Sequence, residues 1–117
     1  RAIAQEPHIL ILDEPTTGLD YGNQVRVLEK ICELRDDGYG IIMTSHNPDH
    51  AFLCDSTVLL LRRNSPAEFG FAEKVLTERS LRESYGVDLR IIEYYGDDGE
   101  VHKSCAPQFR RKRSVFR

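Results

Sequence analysis

The chain has 117 residues, of which 40% are hydrophobic and 30% charged, and its formal net charge is −3. This is ordinary globular composition at a length that fits one domain, so neither extensive disorder nor a disulfide or metal scaffold is expected. No apolar run approaches the roughly 18 residues of a membrane span. The three cysteines, Cys32, Cys54 and Cys105, have neither disulfide-framework nor zinc-ligand spacing, which favours a reducing, cytosolic setting.

Three short, continuous apolar runs predict buried strands. They are Ile9–Leu12, Ile41–Met43 and Val58–Leu61, and their lack of alternation is typical of a parallel sheet covered by helices on both faces. Between the first two, residues 23–35 carry apolar side chains at helical spacing, and the glycines that follow end the helix. The sequence therefore predicts a βαβ unit, and the third strand is expected to return to the same sheet.

The rest of the chain predicts a smaller set of elements. We expect a helix after Asn47 to about Leu53, a short extended segment at 67–71, one or two helices over 73–85, a strand at 87–95 and its hairpin partner at 100–104.

Two carboxylates stand at the end of the first predicted strand. Asp13 and Glu14 come directly after the apolar run, and ligands of open α/β sheets bind beyond the carboxyl ends of the strands. Pro15 disfavours the helical conformation for the residue before it, which predicts an extended Glu14 whose side chain diverges from that of Asp13. One acid then faces a cation while the other faces a substrate or a water.

Two further side chains follow the same logic. His46 ends the second strand, so parallel neighbouring strands would bring it to the edge that holds Asp13 and Glu14. Asp20 follows a glycine turn just before the helix, where a negative charge favours the helix N-terminus.

The chain resembles the nucleotide-binding subunit of an ABC transporter in three segments taken in order: Ile9–Thr16 (ILILDEPT), Gly18–Asp20 and His46. These segments match the Walker B strand, the D-loop and the switch histidine of that family. The residues Arg1–Pro7 resemble the end of the helix after its signature motif. The resemblance implies the C-terminal half of a P-loop NTPase domain of ABC type: parallel strands with flanking helices and a C-terminal helical and hairpin extension.

The resemblance also implies a role for each site residue. Asp13 would orient Mg²⁺ through water, Glu14 would polarise the attacking water, and His46 would contact the γ-phosphate of ATP. Asp20 would act across a dimer interface and shape the opposite active site. These assignments suit phosphoryl transfer, which needs positioning and charge neutralisation more than covalent chemistry.

Within the family, three stretches look most like importers of iron-siderophore, haem or cobalamin type. They are Gly22–Leu28, Asn47–Ala51 and the stretch from Leu76 to Val87. The implied partners are a second nucleotide-binding subunit and an integral membrane permease, at the cytoplasmic face of the membrane, with no nucleic acid.

The sequence also departs from the family. It contains no G-x-x-x-x-G-K-[ST] string to cradle phosphates, and no glutamine loop or glycine-rich signature motif. We therefore expect the chain to be the C-terminal part of an ATPase, inactive alone, with residues 1–62 as core, 63–109 as extension and 110–117 as a disordered basic tail. Alternatives are a soluble ABC ATPase acting on DNA or ribosomes, and a non-catalytic interaction half-domain.

Overall fold

The structure is a computed structural model that describes residues 8–109. Two sequence-based interpretations, the helix end at Arg1–Pro7 and the basic tail at 110–117, lie outside these residues. In chain order the elements are β1 (Ile9–Asp13), α1 (Tyr21–Asp36), β2 (Gly40–Thr44), α2 (Pro48–Leu53), β3 (Thr57–Leu60), β4 (Glu68–Phe71), α3 (Ala72–Val75), α4 (Glu78–Tyr85), β5 (Leu89–Tyr95) and β6 (Val101–Pro107). They fall into two compact units that divide between His50 and Ala51.

The first unit is built on a parallel pair of strands. β1 and β2 run side by side, in a register that starts at Ile9 opposite Gly40 and ends at Asp13 opposite Thr44. Helix α1 connects the two strands and contacts β2. The predicted βαβ arrangement is confirmed, and with it the shared edge at which β1 and β2 end.

Helix α1 begins and packs as its sequence dictates. The side chain of Asp20 accepts a hydrogen bond from the backbone N–H of Asn23 at 2.8 Å, which satisfies a donor that the first helical turn leaves unpaired. Gly18 precedes this cap with φ of 81°, a left-handed conformation that costs glycine little. Leu28 and Ile31 are buried on the predicted apolar face.

The two faces of the β1–β2 pair differ. Leu10 and Leu12 are half-buried, whereas Ile9, Ile11 and Ile42 are 64%, 77% and 59% exposed. The continuous apolar runs predict cover on both faces, and residues 8–109 leave one of them exposed.

In the second unit, β3 departs from the prediction that it returns to a parallel sheet. Among the described residues its strand neighbour is β4, and the two are antiparallel, from Thr57 opposite Phe71 to Leu60 opposite Glu68. The short connection between them explains the pairing, because a parallel crossover needs a dozen or more residues.

The core of the second unit lies around the short helices. Leu81 of α4 is fully buried, and it packs in a cluster with Ala72, Val75, Leu76 and Leu89. Helix α4 starts with a reciprocal pair of hydrogen bonds between Thr77 and Ser80 and ends at Gly86, whose φ is 69°. Of the one or two helices predicted over 73–85, the structure has two, α3 and α4, and the predicted stop at Gly86 is confirmed.

The predicted C-terminal hairpin is confirmed, although β5 starts at Leu89 rather than at 87 and β6 continues to Pro107 rather than ending at 104. β5 and β6 pair antiparallel from Tyr95 opposite Val101 to Leu89 opposite Pro107. In the turn, the Asp98 carboxylate accepts a hydrogen bond from the Glu100 N–H and contacts the His102 ring, and these contacts hold the pKa of Asp98 below its usual range.

Candidate active site

The edge where β1 and β2 end brings together three of the four predicted site residues. Asp13 is the last residue of β1 and Glu14 follows it, while His46 lies two residues after the end of β2. Because the strands are parallel and Asp13 lies opposite Thr44, both chains leave the sheet at the same point. This is where ligands bind in open α/β folds.

Glu14 and His46 form a direct contact at this edge. Nε2 of His46 lies 3.1 Å from Oε1 of Glu14, and the two side chains are 84% and 40% exposed. An imidazole beside a carboxylate can exchange protons with a ligand and hold a carboxylate in place. Their exposure leaves both groups open to a substrate.

Thr44, which the sequence interpretation left without a role, lies between the two acids. Its hydroxyl donates to Oδ1 of Asp13 at 2.5 Å and accepts from the backbone N–H of Glu14 at 2.9 Å. The sequence contains the information for this contact, because one predicted strand ends in two acids and the next ends in a threonine. Parallel pairing of the two strands places these groups side by side. This information could be used only once the register was known.

The backbone of Glu14 corrects one prediction. Its φ is 46°, in the left-handed region, so the extended conformation predicted from Pro15 is wrong. The preference of a pre-proline residue is overridden by hydrogen bonds on both sides: the Glu14 N–H goes to Thr44, and its carbonyl accepts from the Thr17 N–H at 3.1 Å. Such a conformation costs about 1–3 kcal/mol and is frequent at functional sites.

Asp20 is placed differently. Its carboxylate caps helix α1 through the Asn23 N–H rather than contacting Asp13, Glu14 or His46. The negative charge of Asp20 is expected to favour the helix N-terminus, and the structure shows it there as the side chain that caps the helix. The interface role stays a prediction.

A second histidine, His50, contacts the turn that contains His46. The sequence interpretation gives His50 no role beyond that of an ordinary polar residue. Ser45 Oγ accepts from the Asn47 N–H at 3.0 Å and lies 3.2 Å from Nδ1 of His50. His50 is buried, and burial lowers its pKa, against a smaller opposing effect of the Asp49 charge. A mainly neutral ring is therefore packed beneath the turn at neutral pH.

The donor set at this edge suits a hard cation. Mg²⁺ prefers oxygen ligands and is often held by one or two carboxylates together with phosphate oxygens and waters. The Asp13 carboxylate is exposed at the strand end and has oxygen donors of this type, so it fits. Within residues 8–109, no three or more His, Cys, Asp and Glu side chains gather into a metal-binding group, and no helix is long and apolar enough to cross a membrane.

The fold places the chain in a known class of proteins. It superposes on an inward-facing ABC transporter of metal-chelate type with a TM-score of 0.77 and 23% sequence identity, over 87% of this chain and 40% of that one. The fold is that of part of a P-loop NTPase domain of ABC type, as the sequence predicts.

Sequence comparison with curated proteins identifies the family. The chain is 41% identical over 92 residues to an uncharacterized ABC transporter ATP-binding protein of Haemophilus influenzae, which covers 79% of this chain and 35% of that protein. It is 34% identical to the ferric enterobactin transport ATP-binding protein FepC of Escherichia coli and 32% identical to the iron(3+)-hydroxamate import ATP-binding protein FhuC of Bacillus subtilis, each over 78% of this chain and 34% of the relative.

The homologues of this chain are therefore ABC transporter ATP-binding proteins. The chain spans about a third of the length of the curated relatives it matches. No protein-family model matches it.

Proposed function

We propose that this chain forms the catalytic edge of the ATP-hydrolysing subunit of an ABC importer. The observation that carries the proposal is the contact of His46 with Glu14 at the strand end that also holds Asp13. Phosphoryl transfer requires groups that position the reactants and neutralise charge. Asp13 can face a cation, and Glu14 and His46 supply a second carboxylate and an imidazole.

Each residue has a distinct task in this proposal. Asp13 would hold Mg²⁺, through water, beside the phosphates of ATP, where the ion would supply charge neutralisation for the transfer. Glu14 orients and polarises the attacking water, and His46 contacts the γ-phosphate while it fixes the Glu14 carboxylate. Asp20 acts across a dimer interface from its position at the start of α1, next to the active site of a second subunit.

We propose further that the phosphate-binding loop comes from polypeptide other than these 117 residues. The sequence has no G-x-x-x-x-G-K-[ST] string, and the relatives are about three times as long as the region matched. The exposed apolar face at Ile9, Ile11 and Ile42 is the face of a parallel sheet that proteins of this class normally cover. Residues 1–62 then belong to the ATPase core and 63–109 to its extension.

The proposed cargo is an iron-siderophore or similar metal chelate. Relatives named for ferric enterobactin, iron-hydroxamate and petrobactin import support this class. A subunit of this kind works at the cytoplasmic face of the membrane, bound to a permease and to a second ATP-binding subunit.

The experiment compares ATP hydrolysis by the complete subunit with that of the 117-residue chain. We expect Mg-ATP hydrolysis by the former, co-purification with a membrane permease, and no calorimetric binding of Mg-ATP by the latter. Micromolar binding of Mg-ATP to the 117 residues would overturn the assignment of the phosphate loop to other polypeptide. Co-purification with ribosomes or DNA in place of a permease would overturn the proposal that the protein is part of an importer.

A further inference from the structure

The hydroxyl of Thr44 joins the two acids of the candidate site through a single atom. It donates to Oδ1 of Asp13 and accepts from the Glu14 N–H, and a hydroxyl has one proton and two lone pairs, so both bonds form together. We propose that Thr44 is a positioning residue for ATP hydrolysis, which holds Glu14 in the left-handed conformation from which its carboxylate meets His46. This inference rests on the proposed function.

The Glu14 backbone needs such a restraint. Its φ of 46° is disfavoured for a residue with a side chain, and Pro15 biases it toward extended backbone. Packing offers little help, because the Glu14 side chain is 40% exposed. When the Thr44 acceptor is removed, the Glu14 N–H loses its partner and only the bond from the Thr17 N–H to the Glu14 carbonyl remains. We expect this one bond not to outweigh the pre-proline preference, so that the residue relaxes toward the extended form and its carboxylate turns away from His46.

The bond to Asp13 gives Thr44 a second effect. Because one oxygen of the Asp13 carboxylate is engaged by the hydroxyl, rotation of that carboxylate is restricted and its other oxygen remains for a ligand. The two acids are held by the same oxygen atom of Thr44, so they keep a fixed spacing. A site built for in-line transfer depends on such spacing, since a misplacement of about 1 Å can cost about a hundredfold in rate.

Threonine suits this position on local grounds. It ends β2 directly opposite Asp13, and its β-branched side chain fits a strand and has a stiff χ1 that aims the hydroxyl. Valine has nearly the same shape without the hydroxyl, and serine keeps the hydroxyl without the methyl group. Thr57 at the start of β3 provides a matched control, because it is also an exposed strand threonine but lies in the other unit.

The structural test uses NMR on the 117-residue chain. A residue with positive φ gives a strong NOE between its own amide and Hα protons, so we expect this signal at Glu14 in the wild type and in Thr44→Ser, and its loss in Thr44→Val. Thr57→Val should leave it intact. Absence of the signal in the wild type, or its persistence in Thr44→Val, would overturn the proposal. If the valine variant fails to fold, absence of the signal in the wild type or in Thr44→Ser still overturns the proposal.

The functional test measures ATP hydrolysis by the complete subunit. We expect Thr44→Val to lower kcat about 10- to 100-fold with KM changed less than about threefold, Thr44→Ser to restore most of kcat, and Thr57→Val to behave as wild type. An unchanged kcat in Thr44→Val, with the NMR signal lost, refutes the positioning role. If the wild-type subunit hydrolyses no ATP, the proposed function fails, and the NMR comparison still decides whether Thr44 fixes the Glu14 backbone.

Discussion

Nε2 of His46 lies 3.1 Å from Oε1 of Glu14, across the ends of two strands that a whole helix separates in the sequence. The contact exists because β1 and β2 are parallel neighbours in a register that ends both strands at one edge. In the proposed mechanism the imidazole and the carboxylate therefore act together.

His46→Ala should lower kcat of the complete subunit at least about a hundredfold, because it removes both the proposed γ-phosphate contact and the partner of Glu14. A steady-state ATPase assay measures this. His8→Ala is the matched control, since His8 is also exposed and packs on Tyr39 away from the three site residues. Full activity in His46→Ala would remove the histidine from the mechanism.

The helix cap formed by Asp20 can be separated from its proposed role at a dimer interface by a pair of substitutions. Asp20→Ala should lower the free energy of unfolding of the 117-residue chain by about 1 kcal/mol through loss of the helix cap, whereas Asp20→Asn keeps a capping side chain and should cost little. Urea denaturation measures both.

In the complete subunit, Asp20→Asn should still weaken ATP-dependent dimerisation, as measured by analytical ultracentrifugation. If Asp20→Asn dimerises like the wild type, the residue is a helix cap and nothing more.

The buried His50 predicts a pH dependence of stability. Its pKa is lowered by burial from the ordinary value of 6.5, so below about pH 6.5 the unfolded chain takes up a proton that the folded chain resists. The free energy of unfolding therefore falls as pH drops through this range, by at most about 1.4 kcal/mol per pH unit, and is independent of this group above it.

Urea denaturation at pH 7.5 and 5.5 tests the effect of His50. His50→Gln should lose less stability between these two values than the wild type, while His8→Gln, which changes an exposed ring, should follow the wild type. Equal pH dependence in His50→Gln and the wild type would show that burial of this ring is not coupled to its protonation.

The core of the second unit can be tested by comparing the loss of stability when a buried and an exposed leucine are truncated. Leu81 is fully buried and Leu61 is 73% exposed, so the same substitution at both sites isolates burial. Leu81→Ala should cost about 2–5 kcal/mol, and Leu61→Ala less than about 0.5 kcal/mol. Thermal and urea unfolding provide the measurement, and similar losses in the two variants would contradict the assigned core.

Much of the local structure could be predicted from the sequence because each feature has a local cause. The parallel pair follows from two continuous apolar runs around an amphipathic helix, and the end of α4 follows from Gly86. The hairpin is marked by its glycine turn. In these places the side chains and the backbone preferences agree.

The features that the sequence did not predict depend on which segments become neighbours. The antiparallel pairing of β3 with β4 depends on strand choice, and the role of Thr44 depends on its register with Asp13. The left-handed Glu14 contradicts its own pre-proline preference, because a hydroxyl from another strand takes its N–H. Local conflict of this kind is common at functional sites.

The proposed function depends most on Glu14, which acts on the water that attacks ATP. The most direct measurement is single-turnover ATP hydrolysis by the complete subunit with Glu14→Gln, which keeps the size of the side chain and removes its charge. If Glu14 acts on this water, we expect a loss of at least about a hundredfold in the hydrolysis rate, with ATP affinity within about threefold of the wild type. Hydrolysis by Glu14→Gln at the wild-type rate would contradict it.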